Sequence, residues 1–216
     1  MRPADYPAPR TVNTKLNLGL FGGSFDPVHL GHLLVAQAAC EELGLDRLFF
    51  IPAAQSPFKP DRQPTAAALR LRLLRLALAG RPQYEIDAQE LGRGGVSYTI
   101  DTLRDYARRF PGATLSYLIG ADHLATLPQW RAADELARQA DFVVIPRPTT
   151  VAAQPGAAPP AVAVAAPAGF RVRWLTGIPL GLSSSGIRAR VRVGQPIDLL
   201  VTAAVAEAIR NSALYL

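Results

Sequence analysis

The chain has 216 residues, 49% hydrophobic and 19% charged, which suffices for one α/β domain with a real core. The formal net charge of +6 suits polyanionic substrates; arginine is scattered along the chain with no basic block interleaved with aromatics, so nucleic acid is not an expected partner. A single cysteine, Cys40, excludes an internal disulfide and points to a reducing cytoplasm, and no apolar stretch is long enough to span a membrane.

Residues 1–15 read as a polar, proline-bearing tail without an apolar signal core. Leu16–Phe21 is then a predicted strand and Leu30–Leu43 a predicted helix. Between them runs Gly22-Gly23-Ser24-Phe25-Asp26-Pro27-Val28-His29-Leu30-Gly31-His32. A strand, a glycine turn and a helix start suit the binding of phosphates, because glycine lets the backbone approach a ligand and the helix end is positive. His29 and His32 are three apart and share a helix face, so the pair can clamp a polyphosphate.

Arg47–Ile51 is the second predicted strand, and the loop after it carries Lys59, which is either a solvated lysine or a point charge on a phosphate. A helix over 65–79, a strand at Tyr84–Asp87 and a helix over Ser97–Phe110 follow. Ser97 or Thr99 can cap that last helix, with Asp101 in its first turn. The strand Thr114–Ile119 runs into Gly120-Ala121-Asp122, where Asp122 either caps the next helix or accepts from a ribose diol. Trp130, at the start of a helix over Trp130–Ala140, is either a core residue or a stacking face for an aromatic ring, and Arg131 follows it.

Asp141–Ile145 is a strand ending near Arg147, a loop arginine. Residues 149–169 are rich in Ala, Pro and Val without a charge and read as a flexible surface loop inside the domain, not a linker. A strand over Arg171–Leu175 and helices over Ser184–Val193 and Leu199–Asn211 complete the pattern. Ser183, Ser184 and Ser185 either cap the first of these helices or make a second anion site, with Arg188 one turn inside. The alternation of β and α elements predicts a Rossmann-like, doubly wound parallel sheet in a single domain over 16–216, with ligands beyond the carboxyl ends of the strands.

The run Gly22 to His32 resembles the GG(T/S)FDPxHxGH signature of nucleotidyltransferases and is most similar to that of bacterial nicotinate-nucleotide adenylyltransferases. The likeness extends over about residues 16 to 216 apart from the long loop. It takes in Ile51 to Pro60 (family IPxxxPPHK, with Phe58 in place of its histidine), Ser97 to Thr102 (SYTxDT), Gly120 to Asp122 (GxD), Ile145 to Pro148 (VxRP) and Leu182 to Arg188 (ISSTxIR, with Ser185 in place of threonine). The resemblance implies adenylyl transfer from ATP to nicotinate mononucleotide. It implies His29, His32, Lys59 and Arg188 as catalytic residues. ATP would meet Gly22, Gly23, Ser24, Phe25, His29, His32, Gly120, Asp122, Arg147, Ser183, Ser184, Ser185 and Arg188. Nicotinate mononucleotide would meet Ser24, Lys59, Thr99, Trp130 and Arg131. Mg²⁺ would arrive with ATP, no metal would be held by a cluster of the protein's own ligands, and self-association is left open. The acceptor could also be nicotinamide mononucleotide or phosphopantetheine. From other classes, a nucleotide-binding sensor without catalysis and a nucleic-acid-binding protein are the alternatives.

Deleting about fifteen residues between Thr150 and Ala166 is expected to leave the melting temperature and turnover nearly unchanged, because loop length alters stability only slowly. A thermal melt and a rate assay on the shortened chain check this.

Overall fold

Alternation with period two, carried by strands apolar on both faces, organises the molecule. A computed structural model describes residues 15–57, 63–146, 165–177 and 181–216. In β1 (Asn17–Gly23), Leu18 and Leu20 point to one side of the sheet and Phe21 to the other, and all are buried. The neighbours repeat this. Leu20 pairs with Phe49 and Tyr117 in one core, and Phe21 pairs with Phe50 and Leu118 in the opposite core.

Six parallel strands form the sheet, in the order β3-β2-β1-β4-β5-β6. Besides β1 these are β2 (Arg47–Pro52), β3 (Tyr84–Ile86), β4 (Thr114–Gly120), β5 (Asp141–Ile145) and β6 (Val172–Trp174). One face is covered by α1 (Leu30–Leu43), α2 (Ala67–Leu78), α6 (Ser184–Arg192) and α7 (Ala203–Asn211). The other is covered by α4 (Thr99–Arg109), a 3₁₀ run over Ala121–Gln129 and α5 (Ala133–Gln139), with α3 (Gln89–Arg93) beside β2. The strand order reverses at β1/β4, the switch point where such sheets bind ligands. The expected doubly wound Rossmann-like fold is therefore the observed one.

Several helix limits differ from the sequence expectation, each for a tertiary reason. α2 starts at Ala67 rather than at 65: the Thr65 N–H donates to Asp26 Oδ2 (3.2 Å), and its carbonyl accepts from Arg70 Nε (2.8 Å). α5 starts at Ala133, not Trp130, because Ala132 adopts a left-handed conformation (φ 56°) that no helix can pass through. α7 starts at Ala203, not Leu199: Leu200 and Val201 bond back to the Ile197 carbonyl, and the Leu200 carbonyl accepts the N–H of Leu30 at the start of α1 (2.9 Å). The five-residue α3 is too short for a periodic signal, and the nine-residue 3₁₀ run lacks the 3.6-residue period. Among the described residues no helix is long and apolar enough to cross a membrane. Of the long segment 149–169, residues 149–164 lie outside the described residues, as do 1–14 of the tail.

Candidate active site

A cavity of about 800 Å³ opens at the carboxyl ends of β1 and β4. Its lining brings together Gly22, Gly23, Ser24, Phe25, His29, His32, Thr99, Gly120, Trp130, Ser183, Ser184, Ser185 and Arg188, residues from opposite ends of the chain. Lys59 and Arg147 lie outside the described residues. Asp122 and Arg131 do not line the cavity. Asp122 is exposed beside His123 (3.8 Å), and the Arg131 guanidinium lies over the Tyr98 ring (4.7 Å to its centroid) and 3.8 Å from Asp101.

The glycine turn is shaped by what surrounds it. A Cβ on Gly22 would stand 2.4 Å from the Tyr117 hydroxyl, and one on Gly31 would stand 3.0 Å from the His29 ring. Both glycines therefore make room for neighbouring rings. Phe25 is a non-glycine residue in the left-handed region (φ 46°), held there by burial against Phe21 and Phe50 (centroids 5.5 and 5.4 Å). Its ring meets His32 edge-on at 5.0 Å, so Phe25 acts in the site as a wall under the histidine.

The two histidines stack, with centroids 3.7 Å apart and planes 23° apart. His32 Nδ1 accepts the His29 backbone N–H (3.2 Å), so a neutral His32 carries its proton on Nε2. His29 is buried, and its Nδ1 is without a hydrogen-bond partner. Burial lowers the His29 pKa to about 4, and burial together with the adjacent His29 holds His32 well below the ordinary histidine value. Both rings are neutral at pH 7.

The serines have distinct jobs. Ser183 is the N-cap of α6, accepting the Gly186 N–H (3.1 Å). Ser184 Oγ donates to the Pro27 carbonyl (2.8 Å) and so ties α6 to the glycine turn. Ser185 Oγ lies 3.2 Å from Ser183 Oγ. Arg188, 7% exposed, donates from Nη1 to the Asp26 carbonyl, with the Asp26 carboxylate 3.8 Å away. A second buried guanidinium, Arg70, braces the turn from below by donating to the Ser24 carbonyl (2.7 Å).

At the other end of the cavity neither Ser97 nor Thr99 caps α4. Tyr98 is the N-cap and makes no side-chain cap bond. Ser97 Oγ instead accepts the Ala54 N–H (2.9 Å), and Thr99 Oγ1 donates to the Tyr117 hydroxyl (3.3 Å). Trp130 Nε1 donates to Thr126 Oγ1 (3.3 Å), which fixes the indole at the cavity edge with His123 edge-on at 6.0 Å. Among the lining residues that escape sequence reasoning are Glu90, Tyr117 and His123. Glu90 sits on the unforeseen α3, buried, accepting from Thr102 Oγ1 (2.6 Å), and its burial raises its pKa. Tyr117 reads as a strand core residue, and His123 sits on the unforeseen 3₁₀ run.

A model of the family described as cytidylyltransferase-like matches residues 20–190. The "Probable nicotinate-nucleotide adenylyltransferase" of Gemmatimonas aurantiaca is 42% identical over 200 residues, covering 93% of this chain and 92% of its own. The protein of the same name from Geobacillus kaustophilus is 39% identical over 198 residues, covering 92% and 85%. Among solved structures, Plasmodium falciparum nicotinic acid mononucleotide adenylyltransferase complexed with NaAD has a TM-score of 0.69 at 17% identity, over 93% of this chain and 97% of that one, a likeness of fold.

The lowered histidine pKa values carry a stability consequence. Below pH 6.5 the unfolded chain binds protons that the folded His29 refuses, so stability is complete above that pH and declines as pH falls toward about 4. For His29 the loss amounts to about 3 kcal/mol. Denaturant titrations from pH 7 to 4 are expected to show this decline, and to show it flattened in a His29→Asn variant.

Proposed function

The chain belongs to the cytidylyltransferase-like family and stands there with the nicotinate-nucleotide adenylyltransferases, and we propose how its cavity divides the work of their reaction. The reaction transfers the adenylyl group of ATP to nicotinate mononucleotide, giving nicotinate adenine dinucleotide and pyrophosphate in NAD biosynthesis. An oxygen of the acceptor's phosphate attacks the α-phosphorus of ATP as the bond to the leaving pyrophosphate breaks. That phosphate is already nucleophilic at neutral pH, so the protein supplies positioning and charge stabilisation rather than a nucleophile of its own.

The observation that carries the assignment is the stacked, neutral His29–His32 pair beside the N-terminus of α6 and Arg188. In this arrangement His32 Nε2–H donates to a phosphate oxygen at the reacting centre. The α6 N–H groups and Arg188 hold the β- and γ-phosphates, joined by Lys59, while the glycine turn lets the α-phosphate approach β1. Asp122 and Arg147 belong to the adenosine side. Trp130 offers its face to the pyridine ring, and Thr99 with neighbouring amides faces the carboxylate, with Ser24 and Arg131 nearby. Among the described residues no three His, Cys, Asp or Glu side chains form a metal cage, so a divalent ion fits here as one carried on the substrate phosphates. Mg²⁺ bound in that way would offset phosphate charge. The single half-buried cysteine supports a cytoplasmic setting.

His32→Ala is expected to fold normally and to lose at least about 100-fold in turnover, the usual cost of removing one preorganised donor. Near-normal turnover would remove His32 from the chemistry.

A pyrophosphate-release assay with ATP and a panel of acceptors tests the substrate. The expected result is a higher kcat/KM for nicotinate mononucleotide than for the amide, since charge-assisted hydrogen bonds favour the carboxylate. Trp130→Ala is expected to raise the KM of the acceptor about tenfold while that of ATP stays nearly constant. Equal kcat/KM for acid and amide would refute the acceptor assignment, and an unchanged acceptor KM in the variant would return Trp130 to a packing role.

A further inference from the structure

Residues after α7 fold back beneath the glycine turn, and one of them reaches its carboxylate. The Tyr215 hydroxyl donates to Asp26 Oδ1 (2.9 Å), from a backbone held in the left-handed region (φ 71°). The Thr65 N–H donates to Asp26 Oδ2 (3.2 Å). Both carboxylate oxygens are thus engaged by neutral donors, although two buried guanidiniums, Arg188 and Arg70, act on the carboxylate, Arg70 with its donors committed to the Thr65 and Ser24 carbonyls. Arg188 Nη1 is 3.8 Å from Oδ2, beyond hydrogen-bond range, and donates instead to the Asp26 backbone carbonyl. Asp26 and Arg188 are 5% and 7% exposed, so the attraction between them is poorly screened and would draw them together if either competing donor were lost.

A carboxylate and a guanidinium this close ordinarily make a bidentate pair. Such a pair here would occupy the N–H groups that Arg188 needs for the triphosphate and would cancel its charge. We propose that Tyr215 is a positioning residue that, by holding Asp26 Oδ1, keeps the Asp26 carboxylate from closing onto Arg188 and so leaves that guanidinium open to the phosphates of ATP. The inference rests on the assignment of Arg188 to the phosphates. Tyr215 touches no substrate; it acts through Asp26.

The test is Tyr215→Phe, which removes one oxygen atom and keeps the ring's packing, measured alone and in an Arg188→Gln background. In the otherwise native chain, the KM of ATP and the inhibition constant of pyrophosphate are expected to rise roughly 5- to 30-fold, with the KM of nicotinate mononucleotide unchanged and the melting temperature lowered by only a few degrees. In the Arg188→Gln background, Tyr215→Phe is expected to add nothing to the KM of ATP. Unchanged ATP and pyrophosphate constants in Tyr215→Phe overturn the proposal. So does a parallel rise in both substrates' KM with a large drop in melting temperature, which marks a purely structural role, and so does an equal effect in the two backgrounds. Arg188→Gln by itself tests the premise separately: if it leaves the ATP constant unchanged, the assignment of Arg188 fails, whatever Tyr215 does.

Discussion

A helix leaves the sheet on one face after β1, and the 3₁₀ run and α5 leave on the other after β4, although the two strands are hydrogen-bonded neighbours. This divergence is the constraint on which the remaining features depend. It opens a crevice that no side chain from the sheet can fill, because the strands end there. The glycine turn lines one wall as β1 passes into α1. The end of β4 and the 3₁₀ run line the other, so the groups proposed to meet the phosphates and the ring proposed to stack on the pyridine share a single space. Direct transfer between two bound nucleotides needs that geometry, since the attacking and leaving groups must lie in line.

The charge of the site is more restrained than the +6 of the chain suggests. Burial keeps both histidines neutral, and among the described residues Arg188 is the only Lys or Arg lining the cavity. A site of oriented neutral donors suits a transfer that must release its product: fixed dipoles stabilise charge as it shifts in the transition state without holding a polyanion by net charge. The bracing beneath the turn fits the same economy. Arg70 is fully buried yet spends its donors on the Thr65 and Ser24 carbonyls, shaping the backbone from below.

Features fixed by local chemistry were legible in the sequence. Six apolar runs became six strands, and the glycine turn with its two histidines fell where β1 meets α1, because burial on both faces and helix-start chemistry leave plain marks. Roles that depend on distant partners were not legible. The Ser184 hydroxyl serves the Pro27 carbonyl, Thr99 serves Tyr117, and the N-terminus of α1 is met by Leu200, pairings that only the folded chain creates. Glu90 was missed because it lies on a five-residue helix, His123 because a 3₁₀ run lacks the 3.6-residue period, and Arg70 because a helical arginine is ordinarily exposed.

The ties that finish the glycine turn come from far along the chain. Ser184 holds Pro27 across 157 residues, Arg188 holds Asp26 across 162, and Tyr215 reaches Asp26 across 189. Ribosomal synthesis is vectorial, so the turn emerges well before those partners exist. A nascent chain can assemble β1, α1 and β2 early, yet its glycine turn stays unbraced until residues 184–215 clear the exit tunnel. The bracing of the turn is therefore coupled to synthesis of α6 and of the segment after α7, and a product that stops before them carries the signature residues without the contacts that arrange them.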